Sequence, residues 1–198
     1  MLRSMVRTNA GSKIPIFVIV CALAGGIAAR TQNNTIVKET QRRGFMPELQ
    51  SRPLFSISMS LDPVMEVGDT PAGHRRVFTV SGGHFNGDRL KGVVLPQASS
   101  DLLLIRADGS AQQDARIVLK TDDGAIIVMT YRGVRHASAD VNAKIARGEH
   151  VDGSEYYLRT VPFFETSAPK YAWLNQIVAV SVGERQPNGV SYQVFEIL

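Results

Sequence analysis

The sequence predicts an all-β protein, an antiparallel up-and-down β-barrel of about nine or ten strands. Three observations lead to this fold class. Asn-Gly and Asp-Gly dipeptides, the strongest short-range signals for tight hairpin turns, recur along the chain. The segments between them are short and apolar or β-branched, and the connections are brief. A sheet of this size tends to close on itself, because closure removes exposed edges. The dipeptides are Asn86-Gly87, Asp108-Gly109, Asp123-Gly124, Asp152-Gly153 and Asn188-Gly189.

Alternation of side chains defines the individual strands. Segment 54–61 places Phe55, Ile57 and Met59 on one face and serines on the other, which is the period of a half-buried strand. Gly82-Gly83 predicts a bulge or a close backbone approach. The further predicted strands are 64–67, 73–81, 90–95, 102–106, 115–121, 125–134, 155–164, 177–186 and 190–198.

Two segments do not fit the strand pattern. Residues 138–150 carry an apolar helical spacing but are short and polar, so we expect a helix that is a surface excursion. Residues 168–175 open with Pro169 and predict a compact turn or a single helical turn.

The N-terminus predicts a targeting segment. Residues 1–29 contain Arg3, Arg7 and Lys13 but no acidic residue, and residues 14–29 form an uncharged apolar stretch that predicts a helix. Such a stretch is typical of a signal peptide, or of a membrane anchor if it is not cleaved. We therefore expect an exported protein, periplasmic or secreted, with a leader at 1–29, a polar linker at 30–52 and a barrel domain at 53–198. Membrane contact is expected only through residues 14–29, and only if that segment is not cleaved.

The charge balance argues against nucleic acid as a partner. The chain has a net charge of +4, but without residues 1–29 it carries 19 basic and 18 acidic residues. Nucleic-acid surfaces need clustered basic charge, which such a body does not have in excess. The sequence leaves open whether the protein forms a homo-oligomer.

Six short motifs, in order, resemble one known family, the domain of unknown function 3237, also called uncharacterised protein family 0311. The resemblance covers about residues 53–198 and implies a calycin-like barrel, but no established activity. One departure is that the family usually has Gly-Gly and a Trp around Asp101, where this chain has Ser99-Ser100 and Leu102. The motifs that carry the resemblance are 73–76 (GHRR), 82–87 (GGHFNG), 114–116 with 121–125 (DAR, TDDGA), 131–133 (YRG), 163–166 (FFET) and 171–175 (YAWLN).

Polar side chains within apolar strands are the candidates for a binding site. A small barrel points alternate side chains inward, where they fill the interior or line one ligand cavity. Arginine forks and aromatic walls would suit a small, partly apolar, anionic molecule. The alternative is that these residues form internal ion pairs that serve the fold. The candidate binding residues are Arg76, Arg116, Tyr131, Arg159, Trp173 and Asn175.

Whether the protein is an enzyme stays open at this stage. Glu165 and Asp114 are candidate general bases for a metal-independent isomerase, cyclase or lyase acting on a small carbonyl compound. A structural or interaction module is a further alternative. The histidines lack metal-ligand spacing, and Cys21 is the only cysteine, so neither a metal nor a cofactor is predicted.

Overall fold

Residues 48–198 form nine antiparallel strands, and eight of them close into a barrel. The computed structural model describes residues 48–198, so the predicted leader and most of the linker lie outside the described residues. The strand order is β1-β9-β8-β7-β6-β5-β4-β3-β2, and β1 also pairs with β3, which closes the ring and leaves β2 as an extra strand. The strands are β1 (Ser51–Leu61), β2 (Met65–Thr70), β3 (Gly73–Asn86), β4 (Lys91–Ile105), β5 (Ala111–Thr121), β6 (Ile126–His136), β7 (Tyr157–Glu165), β8 (Ala179–Gln186) and β9 (Gly189–Ile197).

The predicted barrel is confirmed, with one difference in how its strands are divided. Segments 90–95 and 102–106, predicted as two strands, belong to the single long strand β4. A register irregularity between Leu95 and Ser100 interrupts its pairing with β5. The Ser99 hydroxyl stabilises this bulge, since it donates to the Leu95 carbonyl at 2.6 Å and accepts from the Val118 amide at 3.0 Å.

Short turns join most neighbouring strands, as the dipeptides predict. Asp108-Gly109, Asp123-Gly124 and Asn188-Gly189 lie at the β4–β5, β5–β6 and β8–β9 connections, and Asn86-Gly87 lies where β3 ends. Asp152 instead begins the 3₁₀ turn Gly153–Glu155, accepting a hydrogen bond from the Ser154 amide at 2.8 Å.

One end of the barrel is filled by a hydrophobic core. Phe55 contacts Phe85 and Phe164 edge-on, with ring centroids 5.7 and 5.9 Å apart. The 3₁₀ helix Pro169–Gln176 covers this end and buries Tyr171 and Leu174. Such aromatic pairs bury large apolar areas and stabilise the fold accordingly. We call this end the closed end.

Both ends of the barrel's own chain lie at the closed end. Ser51 in β1 pairs with Ile197 in β9, and the Leu198 amide donates to the Gln50 carbonyl at 2.9 Å. The barrel sheet therefore starts and finishes on two neighbouring strands.

Ring closure depends on a close approach of β3 to β1. Gly83 pairs with Met59, and β3 shifts register against β4 between Thr79 and Gly83, as a bulge at Gly82-Gly83 predicts. A Cβ added at Gly83 would collide with the Ser58 carbonyl and lie 3.0 Å from the Met59 Cα. Gly83 also has φ of +154°, which disfavours other residues.

We expect Gly83→Ala to lower the free energy of unfolding by about 1–3 kcal/mol more than Gly82→Ala, because only the first overpacks the β1–β3 pairing. Gly82 is a matched control: its φ is +146°, and its Cβ would meet nothing within 4 Å. Urea denaturation of both variants measures the difference. Equal losses would show that the close approach at Gly83 does not limit closure.

Candidate functional site

A cavity of about 540 Å³ occupies the end of the barrel opposite the closed end. Its volume falls within the range of small-molecule sites. Most of its wall is apolar, with side chains such as Met59, Phe78, Leu103, Leu158 and Val190. A smaller polar set enters this wall from five strands: Asp101 (β4), Gln113 (β5), Tyr131 and Arg135 (β6), Arg185 (β8) and Tyr192 (β9).

Two arginines in the cavity wall have no acidic partner in the described part of the chain. Within residues 48–198, neither Arg135 nor Arg185 belongs to an ion pair. Burial lowers the pKa of both guanidinium groups, and the charge of Arg185 lowers the pKa of Arg135 further. Guanidinium groups nevertheless stay protonated in proteins. The cavity therefore holds two desolvated positive charges.

Asp101 is the carboxylate of the cavity. One of its oxygens accepts the Asp114 amide at 2.9 Å. Burial raises the pKa of Asp101 to about 6; the nearby charge of Asp114 adds to the shift, while that amide, Arg185 and Arg75 oppose it. A carboxyl with this pKa can both give and take a proton near neutral pH.

Two tyrosines lie beside one another in the cavity. The ring centroids of Tyr131 and Tyr192 are 5.6 Å apart, and burial raises the pKa of both hydroxyls. Both therefore remain protonated and can donate hydrogen bonds. Gly183, the cross-strand partner of Tyr192, makes room for this ring, because a Cβ there would lie 2.7 Å from Leu158 and overlap Tyr192.

Unsatisfied polar atoms are concentrated around the cavity. Among the described residues, the buried side-chain atoms without a hydrogen-bond partner are Arg135 Nη1, Gln113 Oε1 and Asn142 Oδ1. All three residues line the cavity. Buried polar atoms normally find partners, so this clustering favours a bound molecule that supplies them.

A helix lies over the cavity, which corrects the expectation of a surface excursion at 138–150. Helix α1 (Ala139–Ala146) begins after Ser138, whose hydroxyl accepts the Val141 amide at 3.3 Å. Asn142, Ile145 and Ala146 line the cavity from this helix. The position of the helix over the cavity could not be predicted from its polar composition, because only one narrow face of the helix contacts the barrel.

Two of the sequence-predicted binding residues line the cavity. Tyr131 is buried in its wall, and Arg76 lies at its edge with a partly exposed side chain. Glu66 of β2 binds Arg76 at 2.9 Å and also contacts the His74 ring at 3.0 Å. Arg76 is thus already paired, unlike Arg135 and Arg185.

Four predicted residues lie instead on the outer face of the barrel. Asp114 and Arg116 share the outer face of β5, where Asp114 lies 3.9 Å from Arg116 and 3.8 Å from Arg132. Arg159 and Glu165 lie on the outer face of β7, with Arg159 donating to the Leu158 carbonyl at 2.9 Å. None of the four lines the cavity.

The two remaining candidates lie at the closed end. The Arg89 guanidinium stacks over the Trp173 ring, 3.3 Å from its centroid. Asn175 clasps the Thr166 backbone, accepting its amide and donating to its carbonyl, both at 2.9 Å. These contacts hold the 3₁₀ helix across the barrel, far from the cavity polar groups.

Sequence reasoning missed Asp101, Gln113, Arg135, Arg185 and Tyr192. The alternation of side chains along a strand could have identified Arg135. It follows Tyr131 by four residues on the same strand and therefore shares its face. The sequence around Asp101 departs from the usual family pattern, and that departure lies in the stretch of β4 that contributes Asp101 to the cavity. Leu102, which replaces the usual aromatic there, is 39% exposed and does not line the cavity.

The family model for the protein of unknown function DUF3237 matches residues 49–197. The chain belongs to the DUF3237 family. A DUF3237 relative, the UPF0311 protein RPA1785 of Rhodopseudomonas palustris, is 33% identical over 152 residues, covering 77% of this chain and 99% of the relative. Its crystal structure matches this fold with a TM-score of 0.74, covering 77% of this chain and all of that one.

Two other relatives bear on the DUF3237 fold and its chemistry. A β-barrel-like protein of Acinetobacter baumannii is 39% identical with a TM-score of 0.68, covering 78% of this chain and 99% of that chain. A hydroalkoxylation enzyme of Penicillium herquei, phnH, is 28% identical over 126 residues, covering 64% of this chain and 68% of the enzyme. This DUF3237 chain is therefore similar to at least one enzyme.

The described part of the DUF3237 chain shows neither a metal-ligand cluster nor a membrane-spanning helix. Residues 48–198 contain no group of three His, Cys, Asp or Glu side chains placed to hold a metal ion. Over the same residues, no helix has the length and apolar character needed to cross a membrane.

We expect Asp101→Asn to stabilise the protein at pH 8 by about 1–2 kcal/mol and to change it little at pH 4. The folded-state pKa of Asp101, about 6, lies above the unfolded value of 3.8, so its contribution to stability is lost as pH rises through 6. Asparagine does not titrate, yet its side-chain oxygen can still accept the Asp114 amide. Urea denaturation at the two pH values tests this; a stability difference that does not grow with pH would contradict it.

Proposed function

We propose that the cavity binds a small, partly apolar molecule carrying an anionic oxygen, a carboxylate or a phenolate. The guanidinium groups of Arg135 and Arg185, which form no ion pair within residues 48–198, carry this proposal. A buried charge without a partner is costly, and one oxygen anion between two such groups would remove that cost. Charge-assisted hydrogen bonds of this kind are also among the strongest in proteins.

The charge balance of the cavity supports an anion rather than a neutral ligand. Arg135 and Arg185 face one carboxylate, Asp101, whose raised pKa leaves it partly protonated near pH 6. Arg76 is neutralised by Glu66. One negative charge on the ligand would therefore restore neutrality in a site of low dielectric, where charges interact strongly.

The rest of the wall favours a ring system that bears hydroxyl or carbonyl groups. Apolar side chains such as Phe78 and Leu103 offer contact area to rings. The Tyr131 and Tyr192 hydroxyls can donate to a carbonyl oxygen, while Asn142 Oδ1 accepts a hydroxyl. A few polar groups within an apolar cavity are the usual means of fixing ligand orientation.

We expect 2-naphthoate to bind saturably to the purified protein, and its neutral analogue 2-naphthamide to bind at least about tenfold more weakly. Arg135→Gln and Arg185→Gln should each weaken naphthoate binding by about 10- to 100-fold, the value of a charge-assisted hydrogen bond. Titration calorimetry measures the affinities.

Arg116→Gln is the matched control, because Arg116 is exposed on the outer face of β5. It should leave naphthoate binding unchanged. Equal affinity for the acid and the amide, or equal losses in all three variants, would overturn the proposal.

A second candidate, a metal-independent enzyme, is favoured by the position of Asp101. Intramolecular addition of a hydroxyl across a carbon–carbon double bond needs a proton removed from oxygen and a proton delivered to carbon, with no net redox change. Protonated Asp101 can deliver its proton to carbon. The carboxylate that results can then take a proton from the hydroxyl of the next substrate molecule. The relationship to a hydroalkoxylation enzyme is consistent with this reaction class.

The other polar groups would act on the developing charge. Arg135 and Arg185 would favour the phenolate nucleophile, and the Tyr131 and Tyr192 hydroxyls would donate to the enolate oxygen formed when it attacks a conjugated carbonyl compound. Asp101 takes the part that the sequence suggested for Glu165 or Asp114, since both of those carboxylates lie outside the barrel.

As a test, we expect the protein to accelerate the cyclisation of 2′-hydroxychalcone to flavanone above its spontaneous rate, followed by absorbance. Asp101→Asn should reduce that rate by at least about 100-fold, since general acid–base catalysis contributes about 10²- to 10⁴-fold. Asp122→Asn, at an exposed turn, is the control and should retain the full rate. Loss of the rate in Glu165→Gln but not in Asp101→Asn would contradict this assignment.

A further inference from the structure

The outer surface of β7 and β8 is apolar where a barrel normally faces water. We call this surface the β7–β8 face; it comprises Val161, Phe163, Val178, Val180 and Val182. Phe163 is 54% exposed and Val178 51% exposed. Contiguous exposed apolar side chains of this kind mark interaction surfaces. The cavity does not explain them, because these side chains point away from it.

The β7–β8 face has charges only at its two ends along β7. After the exposed Tyr157, whose ring the Arg159 guanidinium covers at 4.9 Å, the outward residues of β7 are Arg159, Val161, Phe163 and Glu165, so two apolar positions lie between a basic and an acidic residue. Glu165 forms no ion pair with any other described residue, and Arg159 likewise forms none. These two charged groups were candidates for the site, and the cavity uses neither.

This pattern is self-complementary under a two-fold rotation. If β7 of one copy lies antiparallel over β7 of another, with the axis over Pro162, Arg159 faces Glu165 of the second copy and Val161 faces Phe163. The parallel arrangement would place like charges on each other, which is unfavourable. A two-fold interface needs this kind of self-matching surface.

The neighbouring strands agree with the same axis. β7 and β8 pair at Arg159–Val182 and Thr160–Ser181; extended by two residues in the same register, this pairing would bring the axis across β8 at Ala179, between the exposed Val178 and Val180. Ala179 pairs with Glu196 in β9, which lies between the outward Phe195 and Ile197. Apolar residues therefore flank the axis on three adjacent strands.

We propose that the β7–β8 face binds the same face of a second copy of this chain, forming a two-fold dimer by antiparallel sheet-on-sheet packing. Sheets packed face to face bury their outward apolar side chains in a layer about 10 Å thick. Opposite charges at both edges of this layer would fix the direction of the strands. The dimer does not depend on the cavity's function, because the β7–β8 face lies on the outer surface of the barrel and none of its residues lines the cavity.

The test is the mass of the full chain in solution, by sedimentation velocity. At about 10 µM we expect twice the monomer mass of 21.6 kDa. Phe163→Glu should raise the dimer dissociation constant at least about 100-fold, since a central aromatic contact becomes a buried, unpaired charge. Circular dichroism confirms that each variant keeps its sheet content.

Charge reversal tests the register. Arg159→Glu alone should weaken the dimer, because it would face Glu165 of the second copy, and Glu165→Arg alone should do the same. The double variant Arg159→Glu with Glu165→Arg should restore it. Lys120→Glu, an exposed site on β5, is the matched control and should leave the dimer intact.

A monomeric wild-type chain would overturn the proposal. So would a dimer that persists in both Phe163→Glu and Arg159→Glu, since association would then use another surface. A double charge reversal as weak as the single variants would reject the antiparallel arrangement over Pro162.

Discussion

Pairing of β1 with β3 turns a nine-stranded sheet into a ring. At Gly83 the two backbones approach so closely that a Cβ would not fit, and this close approach allows the two strands to pair. Once the ring exists, every inward side chain of eight strands shares one enclosed volume. Eight strands enclose little more than their own side chains need. At the closed end, Phe55, Phe85 and Phe164 fill that volume. At the other end the inward side chains do not fill the volume, and a cavity of about 540 Å³ lined by apolar and polar groups remains.

The cavity is built at the expense of stability. Arg135 and Arg185 give up hydration without gaining an acidic partner among the residues that the structure describes, and Asp101 resists ionisation because it is removed from water. The aromatic core and the anchored 3₁₀ helix compensate at the closed end. Side chains that weaken the empty protein are common at binding and catalytic sites, because the ligand or the reaction uses the unmet interactions.

The strands could be predicted from the sequence because alternation and turn chemistry act locally. Which face of a strand points into the barrel could not always be predicted, because that depends on how the whole sheet closes into a ring. On β7 both faces are apolar: Phe164 points in, whereas Val161 and Phe163 point out. On β4, Val94 is inward at an even position, but after the bulge at Ser99 the odd positions Asp101 and Leu103 line the cavity. A bulge exchanges the inward and outward positions of the residues that follow it, and the local sequence pattern did not predict this bulge.

The first and last strands of the barrel are neighbours, and Ser51 lies opposite Ile197 at the closed end. A short peptide could therefore join the two ends of the barrel sheet without reaching the end that contains the cavity. Circular permutation is tolerated where the two ends of a domain lie close together at its surface. The same arrangement allows the barrel to be immobilised by a tag at its carboxyl end, with the cavity end directed away from the support and into the bulk solution.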